Sequence, residues 1–184
     1  RSKAWMRLLP LLRLRPLVRG EFNTQFIADP MFSPLGQAGS RDAYDQAVAS
    51  LGKLVKEFPK GSLVPQALYY QAESLYSAGK LGEAIQKYQQ LTDDHPQSPL
   101  LPNALYALGV AHEEQDQGAQ ASATYDRFLK DHPDHELSAE VRFRRGELYF
   151  ADEDYAQAGK LFAAAAVAKK FAHADMALLR QADS

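Results

Sequence analysis

Proline closes three segments of this chain at one fixed interval, since Pro59, Pro96 and Pro133 are spaced 37 residues apart. Ala47, Ala84, Ala121 and Ala158 keep the same step, as do Leu51, Tyr88, Tyr125 and Phe162. A period of this length marks one supersecondary unit stacked on copies of itself. One unit cannot bury its apolar face alone, so each neighbour completes the core of the last and a long surface stays free. Such a surface suits the holding of partners better than it suits chemistry.

The unit is a pair of helices. Leu68, Ala72, Leu75 and Tyr76 fall at helical spacing over 66–78, with Pro65 near the first turn. Gly79 is the expected stop, because glycine takes the left-handed conformation at little cost. Over 81–93, Leu81, Ala84, Ile85, Tyr88 and Leu91 form one apolar face, and Asp94-His95-Pro96 closes it. The pair recurs at 102–115 and 118–130, and again at 139–151 and 155–168 with Asp154 as N-cap. Residues 42–57 match only a second helix, and 172–184 only a first. The expected organisation is therefore a leader over 1–40, a half-repeat at 42–61, repeats at 62–98, 99–135 and 136–170, and a truncated helix at 171–184. Ala84, Ala121 and Ala158 fall where paired helices cross, so close approach there needs a small side chain.

Ala104-Leu105-Tyr106-Ala107-Leu108-Gly109 followed by Ala121, Tyr125, Phe128 and Pro133 resembles the tetratricopeptide repeat. The longer inter-repeat segments, Pro59-Lys60-Gly61-Ser62 and Pro96-Gln97-Ser98, resemble the variety found in bacterial cell-envelope proteins. Examples are the periplasmic repeat protein of the Tol–Pal system and the repeat lipoprotein of outer-membrane assembly. The resemblance implies an all-α, right-handed superhelical solenoid of antiparallel helix pairs that binds proteins, in a bacterial periplasm or cell envelope, with a cytoplasmic location as the alternative. Gln71-Ala72 and Arg145-Gly146 stand where Leu-Gly is typical, and Lys170 replaces the closing proline, which implies looser packing in the third repeat.

Charge divides the chain. Residues 1–20 carry six basic side chains and no acid, which leaves fifteen basic against twenty-three acidic groups in the rest. The basic, apolar run from Trp5 to Arg15 is interrupted by proline and arginine, so it makes a poor secretory signal. Its charge would let it dock on the acidic body, its own or a neighbour's, and self-assembly through the open repeat ends and residues 1–40 is the alternative function. Pro30, Pro34, Gly36 and Gly39 argue against a first helix before 42–57. Phe22, Phe26, Ile27, Met31 and Phe32 are the expected cover for its exposed side.

The absence of cysteine removes disulfides and thiolate metal sites. No apolar run approaches the ~20 residues of a membrane span. No phosphate-binding glycine motif precedes a helix, and the basic leader lacks the density of a nucleic-acid arm. The reading is a non-catalytic protein that uses no cofactor or metal. The histidines of Asp131-His132-Pro133-Asp134-His135-Glu136 read as a polar inter-repeat turn, and His112 reads as a packed core residue. Glu113-Glu114 and Asp152-Glu153-Asp154 read as solvated faces.

In the tetratricopeptide family the first helix of each pair lines the concave groove. Carried onto this chain, the groove would hold Tyr69, Tyr106 and Phe143 as an aromatic ladder, joined by Tyr76 and Phe150. Glu73, Glu113, Glu140 and Glu147 lie beside them, with Gln66 and Asn103 as amide donors. An acidic groove studded with aromatics favours a peptide carrying Lys or Arg among apolar side chains. Tyr69 and Glu73, then Tyr106 and Val110, occupy the places where chaperone-binding clamps carry Lys and Asn, so recognition of an acidic chain terminus is disfavoured. The ladder residues could equally pack between adjacent first helices.

Overall fold

A computed structural model describes residues 37–168 and 171–184. Within them the chain is all helix: α1 (Gln37–Glu57), α2 (Val64–Ser77), α3 (Leu81–Asp94), α4 (Leu101–Glu114), α5 (Gly118–Asp131), α6 (Ser138–Ala151), α7 (Tyr155–Ala166) and α8 (Ala174–Asp183). Each helix packs on the next in order, giving the expected solenoid of antiparallel pairs. The readings of Trp5–Arg15, of the cover from Phe22 to Phe32 and of Lys170 lie outside the described residues.

Each pair is built around a fully buried aromatic from its second helix. Tyr88, Tyr125 and Phe162 are at most 1% exposed, and Ala84, Ala121 and Ala158 are 0% exposed where the helices meet. Opposite these rings the first helix narrows to Ala72, Gly109 and Gly146. A Cβ on Gly109 would lie 2.2 Å from the Tyr125 ring, and one on Gly146 would lie 2.7 Å from Phe162. The Leu-Gly signature is therefore a steric one, since the ring takes the space a side chain would need.

The turns between paired helices use one left-handed residue each. Gly79 has φ 75°, as its sequence context implies, while Asp116 and Glu153 adopt φ 56° and 62° at the same register. Asp154 caps α7 by accepting from the Gln157 backbone N–H. The Asp131–Glu136 segment is spent on the turn: His135 Nδ1 accepts from the Leu137 N–H at 3.2 Å, and the His132 carbonyl accepts from Ser138 Oγ at 2.9 Å.

Two readings need correction. The helix expected over 42–57 begins earlier, since α1 starts at Gln37 and passes through Gly39. A single glycine costs a helix only about 1 kcal/mol. Glu113 is no solvated carboxylate either. It accepts from the hydroxyl of the buried Tyr125 and faces Arg144.

Arg145 occupies the Leu position of the Leu-Gly signature in the third repeat. It is buried at 6% exposure, makes two hydrogen bonds to Asp126 at 2.9 and 3.2 Å, and stacks 3.6 Å over the Tyr149 ring. His112 is buried as expected, and its Nδ1 donates to Gln117 Oε1 at 2.6 Å.

Candidate functional site

The first helices α2, α4 and α6 carry the residues expected to line the groove, and α8 holds the equivalent place after them. Their surroundings differ from section to section. Tyr69 is only 4% exposed and belongs to the core, with the Tyr88 and Tyr70 rings edge-on at 6.1 and 5.6 Å. Tyr106 and Phe143 are half-buried, the second against Phe162 and Phe171. Asn103 is half-buried and Gln66 exposed. The ladder is thus core at its first rung and a mixed surface at the next two.

Between α2 and α4 the carboxylates meet tyrosine hydroxyls. Tyr88 donates to Glu73, and Tyr76 donates to Glu114. Burial pushes the Glu73 carboxyl above its ordinary range, and the bonds from Tyr88 and Tyr69 only partly offset this. Burial likewise raises Tyr76, with the Glu114 bond adding to the effect. Among the described residues neither Glu73 nor Glu114 has a salt-bridge partner.

Between α4 and α6 an arginine enters. Arg144 Nε donates to Glu140 at 3.0 Å, Nη1 lies 3.6 Å from Glu113, and the guanidinium sits 5.7 Å from the Tyr106 ring. Burial opposes its charge, but Tyr106, Tyr125, Glu140 and Glu113 together outweigh burial and hold its pKa above the ordinary value. Between α6 and α8 the arrangement repeats. Arg180 makes two bonds to Glu147 at 3.0 and 3.3 Å, with the Phe150 ring 5.4 Å away.

These arginines were missed by reading the groove for aromatics and acids alone. Arg180 stands at the same register as Tyr69, Tyr106 and Phe143, and Arg144 at the register of Tyr70 and Ala107. Aligning the repeats for cations as well would have found both. The candidate groove is therefore less acidic than expected, because two arginines pair with three of its four predicted carboxylates, Glu113, Glu140 and Glu147, and leave one negative charge among them.

Among the described residues no three His, Asp or Glu side chains converge as a metal site requires. None of the described helices is long and apolar enough to cross a membrane. Among the described residues, the α2 and α4 carboxylates Glu73, Glu114 and Glu113 are bonded to tyrosine hydroxyls, and buried His112 and Arg145 are bonded to Gln117 and Asp126.

Comparison with solved structures supports the repeat architecture. The TPR-like repeats of a Podosopora anserina kinesin light chain match with a TM-score of 0.65 at 12% identity, over 87% of this chain and 82% of that one. BtubC (BKLC) from P. vanneervenii matches with a TM-score of 0.65 at 15% identity, over 81% of this chain and 66% of that one. At such identities the likeness establishes the fold alone. No curated protein sequence matches the chain. Residues 62–174, more than half of the chain, match the family described as YfiO, outer membrane lipoprotein. The stacked helix pairs and this match together make the chain a tetratricopeptide-repeat protein that belongs to the YfiO outer membrane lipoprotein family.

Proposed function

We propose that this protein is a non-catalytic scaffold of the bacterial cell envelope whose first-helix groove holds an extended segment of a partner protein, one carrying arginine or lysine between apolar side chains. The family, one of outer membrane lipoproteins, supports the compartment. The fold supports a protein partner, since stacked repeats offer a continuous surface and no enclosed reaction site.

The observation that carries the reading is the occupancy of the groove by the chain's own arginines. Arg144 and Arg180 each lie near an aromatic ring and against one or two carboxylates. This is the chemistry that would receive a partner's cation. At the α2–α4 section the register of Arg144 is held by Ala107, while Glu73, Glu114 and the Tyr76 ring remain. Among the described residues no lysine or arginine pairs with Glu73 or Glu114, so a basic side chain entering there would meet both carboxyl groups.

Fluorescence anisotropy tests this with a labelled peptide alternating arginine with leucine, beside the same peptide with glutamate for arginine. The arginine peptide should bind with a micromolar Kd, about −8 kcal/mol, and the glutamate peptide at least tenfold more weakly. Glu114→Lys should weaken the arginine peptide about tenfold, whereas Glu136→Lys, in an exposed turn, should leave it unchanged. Equal binding of the two peptides, or indifference to Glu114→Lys, would refute the reading.

A further inference from the structure

Where the first helix of one repeat packs on the second helix of the repeat before, one register position fills the seam, and its three occupants are Gln71, Leu108 and Arg145. Gln71 is 5% exposed and donates to the Val48 carbonyl at 3.0 Å. Gly52 makes room for it, since a Cβ there would lie 2.9 Å from the Gln71 amide nitrogen. Arg145 fills its own seam with the Asp126 bonds and the Tyr149 stack already described. Both long polar side chains reach across and close the gap.

Leu108 cannot. It is short and apolar, and at the registers of Asp126 and Tyr149 the middle seam has Gln89 and His112. A cleft of about 470 Å³ opens here between α3 and α5, with α4 as its floor. Leu105, Leu108 and His112 line the base, while Gln89, Gln120 and Thr124 form the walls. One end is closed by Arg127, which donates to the Thr92 carbonyl at 2.9 Å and pairs with Asp93 at 3.5 Å.

The cleft offers several hydrogen-bond acceptors beside the amide N–H groups of Gln89 and Gln120. The His112 Nδ1 proton is committed to Gln117, which leaves Nε2 with its lone pair. The Thr124 hydroxyl donates to the Gln120 carbonyl at 2.8 Å and keeps its own lone pairs. The side-chain carbonyls of Gln89 and Gln120 add two further acceptors, and the Asp93 carboxylate lines the end beside Arg127, with which it pairs.

We propose that this cleft is a binding site for a guanidinium group, the arginine side chain of a partner protein, seated between α3 and α5 as Arg145 is seated in the next seam. The planar group would lie over the imidazole of His112 where Arg145 lies over Tyr149, with Gln89 accepting where Asp126 accepts. The two seams place the same sequence registers on successive helices, so the filled seam is the guide to what the open one could hold. This site is separate from the first-helix groove, and its test does not depend on that groove binding anything.

The experiment is a titration of the isotopically labelled full chain with N-acetyl-arginine amide, followed through the side-chain amide signals of Gln89 and Gln120. N-acetyl-lysine amide and N-acetyl-leucine amide serve as comparisons. Saturable shifts at both glutamines are expected with the arginine compound, and binding at least fivefold weaker with the lysine compound, which lacks the planar fork. Gln89→Asp supplies the missing carboxylate and should tighten arginine binding about five- to tenfold. Leu108→Arg should fill the cleft from within and abolish it. Absence of saturable shifts, equal response to lysine, or indifference to Gln89→Asp would overturn the proposal. Because Gln89 lies on the exposed side of α3, that arm stands even where Leu108→Arg fails to fold.

Discussion

Gly109→Ala is the sharpest test of how the helix pairs are built. A methyl group at this position would stand 2.2 Å from Tyr125 Cε1 and 2.7 Å from both Cδ1 and Cζ. Ordinary carbon contacts begin near 3.4 Å, so ring and helix must separate by roughly 1 Å. The ring has nowhere to go, being 0% exposed with its hydroxyl anchored on Glu113. Intrinsic helix propensity favours alanine over glycine by about 1 kcal/mol. Overpacking costs about 1–3 kcal/mol and more where the neighbour is rigid. The clash is severe enough to take the upper part of that range, so the net loss is about 1–2 kcal/mol. For a chain of this size that lowers the melting midpoint by about 2–8 °C. Gly118→Ala is the control, because a Cβ there meets no atom within 4 Å. Circular dichroism melts of the three proteins at equal concentration decide the matter. A Gly109→Ala midpoint at or above the parent's would refute the idea that the ring and the glycine define the pair.

Further outcomes follow from the turns, the buried ion pair and the buried carboxyl. Glu153→Gly should stabilise the chain by about 0.5–1 kcal/mol in urea unfolding by relieving a left-handed residue, and Gly79→Ala should cost about 1 kcal/mol. Asp126→Asn should cost about 1–2 kcal/mol, discounted because Asp126 is 55% exposed, while Arg145→Met should come out near neutral in the same assay. Burial raises the Glu73 pKa in the fold, so the folded state holds that proton more tightly than the unfolded chain. The resulting stability is fully present below the ordinary carboxylate range and is lost as pH rises toward the folded value. Glu73→Gln should therefore gain stability relative to the parent as pH is raised from acid to neutral, read from paired melts.

Much of the architecture was legible because its causes are local and repeat. The 37-residue step, the apolar faces, the Gly79 stop and the Asp154 cap all act within a few residues of themselves. The left-handed turns at Asp116 and Glu153 were not read, although they share the register of Gly79, because their side chains carry no glycine signal. The groove was read only in part. Its carboxylates were visible, yet their pairing depends on contacts that cross repeats, such as Arg180 on Glu147 and Arg144 on Glu113. Those cations stand at positions that hold tyrosine, alanine or phenylalanine elsewhere, so the ladder pattern concealed them. Tyr69 was ambiguous for the opposite reason: its register is that of a groove residue, while Tyr70 and Tyr88 close over it.

The central claim is that partners are held along the first helices and recognised by positive charge. The most direct measurement is photo-crosslinking of the arginine–leucine peptide, carrying a benzoylphenylalanine, to the full chain, with the attachment sites read by mass spectrometry. The account predicts adducts concentrated on α2 and α4 around Tyr76, Ala107 and Glu114, reduced by Glu114→Lys. Adducts spread over the second helices α3, α5 and α7, or an equal yield from the glutamate peptide, would contradict it.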